Sequence, residues 1–396
     1  MLTRLSSRSL NILSALTLLF AFAAFQFPWA CLEELVIADD HDQEILTFSS
    51  VGDSRQDPVT FDPTTAPLSG QDAIWLQNTK AWSRIIGSIQ SQKSSLLFFN
   101  GDMIMGYVWA KVPANNTTVA GIVSSDLLKF YQQYGFWRGM VAGLMENGTY
   151  VVPVAGNHET QCKACGKTAK VENEDAWRAN MGDLILDNSR FQSLFGQPPS
   201  NENTSNNGAL DGLATDQSKL SYSFDFQGSH FVVINTDPVG KDAHAPTNWL
   251  AVDLAAAQAR GAKNFFVFGH KPAYTYYYGS DPAHPLPAAP SGLDNFPADR
   301  DAFWDIIEQY GAIYFCGHEH IFNVSRPRGG AWQILVGSGG SPFEASPTNA
   351  TINPQTDRDY AWVTVKVYRN GKITITAYGF DDQYSTTHIL QSVTIH

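Results

Sequence analysis

Six short apolar runs, each bounded by turn residues, constrain the fold of this chain more than any other feature. They are ILTFSSV (45–51), SLLFFN (95–100), YVVPVA (150–155), HFVVIN (230–235), NFFVF (264–268) and AIYFC (312–316). Runs of this length and composition predict buried strands. Between them, apolar residues recur at helical spacing in 75–89 and 127–144, and 248–260 is rich in Ala and Leu. Strands that alternate with helices predict an α/β layered domain.

The C-terminal part of the chain has a different pattern. Residues 360–368 and 373–378 alternate strictly, and the turn sequence Arg369-Asn370-Gly371-Lys372 joins them. This arrangement predicts an antiparallel meander at the far side of the sheet. The segment 167–217 is polar and rich in Asn toward its end, so we interpret it as a surface insertion. Since no linker separates a second unit, we expect one domain over residues 43–396.

The N-terminal segment 1–30 has the layout of an export signal. Two arginines precede an apolar stretch that runs from about residue 12 to residue 27. Three fates are open: cleavage near Ala30, retention as a signal anchor, and lipidation at Cys31. We favour export with cleavage, which predicts a secreted, periplasmic or cell-surface protein. An N-terminal anchor or lipid is then the one expected contact with a membrane.

The charge and the cysteine content restrict the partners and the cellular compartment that the chain can have. The formal net charge is −12 and charged residues make up 16% of the chain, so no basic stripe is available for a phosphate backbone. Nucleic acid is therefore excluded as a steady partner. Cys162 and Cys165 predict one local disulfide in an exported chain. A redox motif or half of a zinc site is the alternative for this CxxC, but a second CxxC is missing.

Five of the predicted strands end in a glycine that is followed at once by a residue able to bind metal. The pairs are Gly52-Asp53, Gly101-Asp102, Gly156-Asn157, Gly269-His270 and Gly317-His318, with His320 two residues after the last pair. Ligands of open α/β sheets bind at the carboxyl ends of the strands, so we expect these turns to converge on one crevice. Glycine at each turn permits a positive φ and a close approach of the backbone.

The residue types in these turns point to a metal centre. Carboxylate oxygens, imidazole nitrogens and an amide carbonyl suit Mn, Fe or Zn, whereas the absence of Cys from most of the turns argues against an Fe–S cluster or a structural zinc. Two metals about 3.5–4 Å apart can hold the attacking and departing oxygens of an in-line displacement. Phosphoryl chemistry is the natural use of such a pair.

The ordered motifs GDSR (52–55), NGD (100–102), GNHE (156–159), GHKP (269–272) and GHEH (317–320) resemble those of the calcineurin-like metallophosphoesterase superfamily, in its exported branch similar to purple acid phosphatases. The resemblance extends from about Leu46 to the C-terminal meander. It implies a layered β-sandwich flanked by helices, two bound metal ions and small phosphorylated substrates.

The resemblance also implies a role for each motif residue. Asp102 is expected to bridge both metals, with Asp53 and His320 on the first metal and Asn157, His270 and His318 on the second. His158 is expected beside the phosphate, as a proton donor to the leaving oxygen or as a clamp on the transition state. Glu159 is expected to orient its neighbours from behind the ligands.

Two positions depart from the family pattern. Arg55 stands where many members have a histidine ligand, and it can either grip the substrate phosphate in bidentate fashion or form a salt bridge to Asp57. Met105 stands where purple acid phosphatases in the strict sense have tyrosine, and Tyr107 lies two residues further on. We therefore expect no purple charge-transfer band.

The leading functional hypothesis is hydrolysis of phosphate monoesters by metal-bound hydroxide, with His158 assisting the leaving group. A phosphodiesterase or nucleotide-cleaving activity is the alternative, because pocket shape decides between them. A noncatalytic phosphate-binding relative is the third hypothesis, although such a protein would more plausibly have lost Asp102, Asn157, His158 or His318. The tyrosines 274 and 276–278 are candidates for a pocket wall, and His244 and His284 for its rim. Loop packing and surface exposure are the alternatives for these last residues.

Overall fold

A computed structural model describes residues 43–58, 71–275, 290–343 and 358–395, and the side chains of 71–77 are not described. The leader, Cys31, the tyrosines at 276–278 and His284 lie outside these residues, so the hypotheses on them stay predictions. Within the described ranges, no helix combines the length and the hydrophobicity that crossing a membrane requires.

The described residues form strands and helices that alternate through most of the chain. The strands are Glu44–Val51 (β1), Leu96–Phe99 (β2), Tyr150–Pro153 (β3), Gln161–Cys162 (β4), Thr168–Ala169 (β5), Ser200–Asn203 (β6), Tyr222–Phe226 (β7), Ser229–Val233 (β8), Asn264–Phe268 (β9), Ile313–Cys316 (β10), Phe322–Ser325 (β11), Trp332–Val336 (β12), Tyr360–Tyr368 (β13), Ile373–Phe380 (β14) and His388–Ile395 (β15). The helices are Gln71–Gln92 (α1), Val119–Val123 (α2), Asp126–Glu146 (α3), Asn157–Thr160 (α4), Val171–Met181 (α5), Asn188–Phe195 (α6), Thr247–Ala259 (α7) and Pro297–Gln309 (α8).

The strands assemble into two large sheets. The first has the spatial order β15-β14-β13-β1-β2-β3, with β1, β2 and β3 parallel and the other three strands antiparallel. The second has the order β11-β12-β10-β9-β8-β7-β6, with β8, β9, β10 and β12 parallel. The predicted C-terminal meander is confirmed, and β15 extends it by a strand that the sequence pattern did not predict.

Aromatic side chains fill the space between the two sheets. Phe48 of β1 meets Phe231 and Phe266 of the second sheet edge to face, with ring centroids 5.6 and 5.0 Å apart. Phe98 of β2 stacks on Phe268 of β9 at 3.7 Å. Each of these rings is fully buried, so this layer supplies much of the apolar burial that holds the sheets together.

Helices cover the outer faces of both sheets. Because side chains alternate along a strand, Phe99 points away from Phe98, and it contacts Trp82 of α1 and Trp137 of α3 at centroid distances of 5.0 and 5.1 Å. Helices α7 and α8 pack on the second sheet in a separate apolar cluster. The predicted α/β sandwich flanked by helices is therefore confirmed.

The segment predicted as a surface insertion, 167–217, contains β5, α5, α6 and β6. Trp177 of α5 and Phe191 of α6 are fully buried in the main core. Part of this segment therefore belongs to the core, and its polar residues cover the outside. Just before it, Cys162 and Cys165 form the predicted local disulfide.

A charged cluster lies at the β7–β8 hairpin, away from the strand ends that carry the motifs. The ring of His230 is fully buried, with Nδ1 2.5 Å from Asp225 Oδ1 and Nε2 2.8 Å from Asp253 Oδ2. Burial acts to lower the pKa of His230, but hydrogen bonds to both carboxylates outweigh it and raise that pKa above its ordinary value. We call these three residues the His230 clamp.

Candidate metal centre

The five motif turns converge at one edge of the sandwich. Backbone bonds join them directly: Asp53 N donates to Gly101 O (3.0 Å), and Gly317 N donates to His270 O (2.8 Å). Asn100 Nδ2 donates to Cys316 O across the two sheets (3.3 Å). The crevice therefore lies between the carboxyl ends of β1, β2 and β3 in one sheet and those of β9 and β10 in the other.

Of the two properties expected of these glycines, the close approach of the backbone is the more general, and a positive φ occurs at one of them. Among the five, Gly101 alone has a positive φ, at 86°. A Cβ on Gly156 would collide with Asp102 Oδ1, and one on Gly317 would collide with Asp53 Oδ2. A side chain at these glycines would therefore displace a carboxylate that belongs to another turn.

The left-handed conformation falls instead on the residues that follow some of the glycines. Asp53, Asp102 and His318 have φ values of 64°, 52° and 74°. Non-glycine residues in this region cost about 1–3 kcal/mol each and cluster at functional sites, where surrounding contacts hold them. Three of the six predicted ligands therefore sit on strained backbone.

Three predicted ligands bring their acceptor atoms around one point, and Asp102 adjoins one of them. Asn157 Oδ1 lies 2.9 Å from both His270 Nε2 and His318 Nδ1. His270 Nε2 lies 3.3 Å from His318 Nδ1 and 3.2 Å from Asp102 Oδ1. Ligands about 2.1 Å from one ion, at right angles to each other, are separated by about 3 Å. The spacing of the Asn157, His270 and His318 atoms therefore fits a single metal ion, and Asp102 lies next to His270.

The protonation of His270 supports this fit. Its Nδ1 lies 2.7 Å from Asn100 O, and a carbonyl can only accept, so Nδ1 carries the ring proton. Burial lowers the pKa of His270, which keeps the ring neutral and leaves a lone pair on Nε2. That lone pair faces the acceptor oxygen of Asn157. Two acceptors at 2.9 Å repel each other, and a cation between them removes the conflict.

Asp53 and His320 form a second pair close to Asp102. His320 Nδ1 is 2.7 Å from Pro342 O, so its Nε2 lone pair points toward Asp53 Oδ1 at 3.7 Å. Asp53, Asp102 and His270 each offer a ligand atom within 4.8 Å of the others, and all three are buried. The structure thus brings all six predicted ligands together, and Asp102 is close to a member of each group.

Asp102 carries negative charge at this centre. Burial acts to raise its pKa, but His158, His270 and the Arg55 guanidinium outweigh that effect and hold the pKa well below its ordinary value. Arg55 lies 3.3 Å from Asp102 Oδ2 and is 20% exposed. The salt bridge considered for Arg55 therefore forms with Asp102 and not with Asp57, whose carboxylate accepts a hydrogen bond from Gln133 Nε2 (3.0 Å).

His158 is fixed beside Asp102 without sharing the inner cluster. Its backbone N donates to Asp102 Oδ1 (3.0 Å), and its Nδ1 donates to the carbonyl of Met105. Burial, followed by the charge of Arg55, lowers the pKa of His158 to about 3. The ring is therefore neutral, and its Nε2 lies 3.6 Å from Asp102 Oδ2. A role as proton donor requires a bound anion that raises this pKa.

Glu159 holds two of the turns together from behind the ligands. Its Oε2 accepts from the backbone N of Asp102 (2.8 Å) and Gly156 (2.7 Å), and its Oε1 from Met103 (2.9 Å) and Ile104 (3.2 Å). Burial and the Asp102 charge raise the pKa of Glu159 to about 8, while the four N–H donors favour its carboxylate. The position agrees with the orienting role that the sequence predicted.

A pocket of about 550 Å³ opens beside His158 and Arg55. Its lining includes Met105, Tyr107 and Lys163. Tyr107 was noted in the sequence but not assigned to the site. Burial, together with nearby carboxylates, raises its pKa to about 12, so it stays a neutral phenol. Its position five residues after Asp102, inside the loop that follows β2, was the available signal.

Sequence reasoning also missed the loop after β12. Ser341 donates to Asp53 O through both its backbone N (2.9 Å) and its Oγ (2.7 Å). A Cβ on Gly337 would collide with Glu319 O. The signal was the apolar run WQILV followed by the Gly-rich GSGGS, residues 332–341.

Two other candidates lie in different surroundings. Tyr274 packs edge-on against Trp304 of α8, with ring centroids 5.4 Å apart. His244 lies on Phe296 (4.2 Å) and 3.4 Å from Asp299 Oδ2. Their described contacts therefore explain both residues by packing.

A protein-family model and several solved structures resemble this chain. A model of the calcineurin-like phosphoesterase family matches residues 35–322. A search of curated protein sequences finds no match. Among solved structures, a purple acid phosphatase from yellow lupin (Lupinus luteus) seeds is similar, with a TM-score of 0.52 and 14% identity over 88% of this chain and 53% of that one. The chain thus spans about half the length of that protein, and the likeness shows the fold alone.

A dimetal phosphatase from Danio rerio is also found, with a TM-score of 0.44 and 12% identity over 89% of this chain and 99% of that one. The family match covers well over half of the chain. It confirms the expected family and, with it, the general class of metal-dependent phosphoesterase. The chain belongs to the calcineurin-like phosphoesterase family.

Proposed function

We propose that this chain hydrolyses phosphate monoesters of small substrates at a centre of two divalent metal ions. The observation that carries the proposal is the cluster of acceptor atoms from Asn157, His270 and His318, spaced as ligands of one ion, beside the buried group of Asp53, Asp102 and His270. Asn157, His270, His318 and Asp102 would hold one cation, and Asp53, His320 and the shared Asp102 would hold the other. Two bound cations would polarise the phosphate and acidify a water molecule.

The side chains around the pocket supply the remaining functions. Arg55 presents a planar guanidinium that can bind two phosphate oxygens at once, since it is partly exposed beside Asp102. His158 has a fixed tautomer, with Nδ1 bonded to Met105 O and the Nε2 lone pair available. A phosphate dianion beside this ring would raise its pKa, so His158 would take up a proton and deliver it to the leaving oxygen.

The charge of the pocket favours a monoester over a diester. Its lining includes Arg55 and Lys163, and no acidic side chain is among the described lining residues. A monoester brings a dianion at neutral pH, whereas a diester brings one negative charge, so the cations attract the monoester more strongly. The volume of about 550 Å³ leaves room for an organic leaving group beyond the phosphate.

We also propose that the protein is exported. The support is the leader-like segment 1–30 together with the Cys162–Cys165 disulfide, because disulfides persist in oxidising compartments. Detection of the native protein outside the cytosol, with the two cysteines resistant to alkylation, is the expected result. Reduced cysteines in a cytosolic protein would contradict it.

The test of the activity uses a chromogenic aryl phosphate monoester and the matching diester. The protein is stripped of metal and reloaded with Mn, Fe or Zn, and both rates are measured at matched concentrations. We expect turnover that depends on metal and is faster for the monoester. Faster turnover of the diester would replace the monoesterase with a phosphodiesterase. Tight metal binding without turnover of either ester would favour a noncatalytic phosphate binder.

A further inference from the structure

Tyr107 is held rigidly at the edge of the pocket. Its φ is 62°, an uncommon value for an aromatic residue. Its backbone N donates to His158 O (2.8 Å), and its carbonyl accepts from Lys163 N (2.9 Å). A Cβ on the preceding Gly106 would collide with His158 O, so glycine permits this close approach. The loop therefore fixes Tyr107 against the helix that carries His158.

The side chain of Tyr107 points toward the same centre. Its ring lies on His158, with centroids 4.5 Å apart, and lines the pocket together with Arg55. Asn157 acts to lower the pKa of the Tyr107 phenol, so its side chain lies near the hydroxyl. Because Asn157 turns its Oδ1 to His270 and His318, its NH₂ group faces the hydroxyl. An NH₂ group only donates, so the hydroxyl accepts there and keeps its own hydrogen for another acceptor.

We infer that Tyr107 is a further catalytic residue, whose hydroxyl donates a hydrogen bond to an oxygen of the phosphate ester bound at this pocket. This inference rests on the proposed function. The hydroxyl lies near Asn157, and the ring lies beside His158 in the pocket that Arg55 also lines. Tyr107 thus supplies a neutral donor beside the cationic donors of Arg55. The contact of its ring with His158 holds that donor in place, and no proton leaves the phenol.

The test is Tyr107→Phe, which keeps the ring and its contact with His158 and removes only the hydroxyl. Tyr131→Phe is the matched control, because Tyr131 is exposed on α3 and belongs to another surface. We expect kcat/KM to fall roughly 10–100-fold in Tyr107→Phe, which is the scale of one lost hydrogen-bond donor to a charged group. In Tyr131→Phe we expect kcat/KM to stay within about twofold. Inhibition by vanadate should weaken by a similar factor, with metal content and Tm unchanged.

Two results would overturn the inference. Unchanged kcat/KM and vanadate inhibition in Tyr107→Phe would show that the hydroxyl touches no phosphate oxygen. Loss of metal from the variant would make Tyr107 a support of the metal ligands and not a substrate donor. Vanadate and phosphate binding to the metal-loaded wild type, measured by calorimetry, separates this test from the ester assay. If the wild type turns over neither ester, the binding ratio between the variant and wild type still decides the role of Tyr107.

Discussion

Replacement of Glu159 by glutamine should destabilise the fold and the metal centre together. The carboxylate accepts four backbone N–H groups, two at each oxygen, from the turns after β2 and β3. Glutamine has the same shape, but one of its ends is an NH₂ group. Whichever way the amide turns, two buried N–H donors lose their acceptor and face another donor.

The cost follows from the number of groups left unsatisfied. Each buried donor without a partner costs roughly 1–3 kcal/mol, so the variant should lose roughly 2–6 kcal/mol of unfolding free energy. The affected donors are either Asp102 N and Gly156 N or Met103 N and Ile104 N. Both pairs include a residue of the turn that carries Asp102, so the Asp102 carboxylate should shift and metal affinity should fall. Urea unfolding of the metal-free protein measures the first effect, and metal titration of the folded variant measures the second.

Glu172→Gln is a suitable control, since Glu172 lies on α5 and accepts one hydrogen bond, from Trp109 Nε1 (3.0 Å). We expect that change to stay below about 1 kcal/mol. A loss of less than about 0.5 kcal/mol in Glu159→Gln, with metal affinity retained, would refute the reasoning. It would mean that burial and the Asp102 charge keep Glu159 protonated, because glutamine imitates a neutral acid better than a carboxylate.

Four further outcomes can be measured on the same preparations. Asp102→Asn should release metal, seen by elemental analysis, and abolish turnover. His158→Ala should keep metal but lower kcat roughly 10²–10⁴-fold, the scale of a lost general acid, and full activity would refute its role. Arg55→Ala should raise KM for a monoester more than for a diester, with equal increases contradicting a grip on the dianion. The raised pKa of His230 means that its clamp stabilises the fold below about pH 6.5 and loses that contribution as pH rises through the folded pKa. Urea unfolding of wild type and His230→Gln across that range should differ in slope by up to about 1.4 kcal/mol per pH unit.

The apolar runs predicted strands that are buried on both faces, because a continuous run of apolar residues marks such a strand without reference to its neighbours. The strand β15 was missed since its exposed and half-buried residues alternate without a clear apolar face. Its place is decided by pairing with β14, and no pattern within β15 itself reveals that pairing. The parallel strand β12 was missed although its apolar run is visible, because it follows a Gly-rich turn close to β11.

Ligand types and order were readable from the sequence, whereas supporting contacts were not. Ser341 reaches Asp53 through backbone and hydroxyl donors, and no motif marks a serine for that task. The partner of Arg55 also depended on the fold: Asp57 is closer in sequence, but the turn directs the guanidinium to Asp102. Some residues act through their backbone atoms, and for others the turn sets the direction of the side chain. In both cases the residue type alone gives little indication of the role.

The glycine before each predicted ligand has a structural role that becomes visible only when the turns are considered together. Gly156 lies against Asp102, Gly317 against Asp53, and Gly101 has His270 Nδ1 2.5 Å from where its Cβ would be. The glycine of one turn thus makes room for a ligand of another. Gly156 and Gly317 lack a positive φ, so their turns alone would tolerate a larger residue, but the assembled centre would not. This mutual dependence explains why the Gly-ligand pairs occur together along the chain, and why their joint presence predicts one crevice better than any one of them.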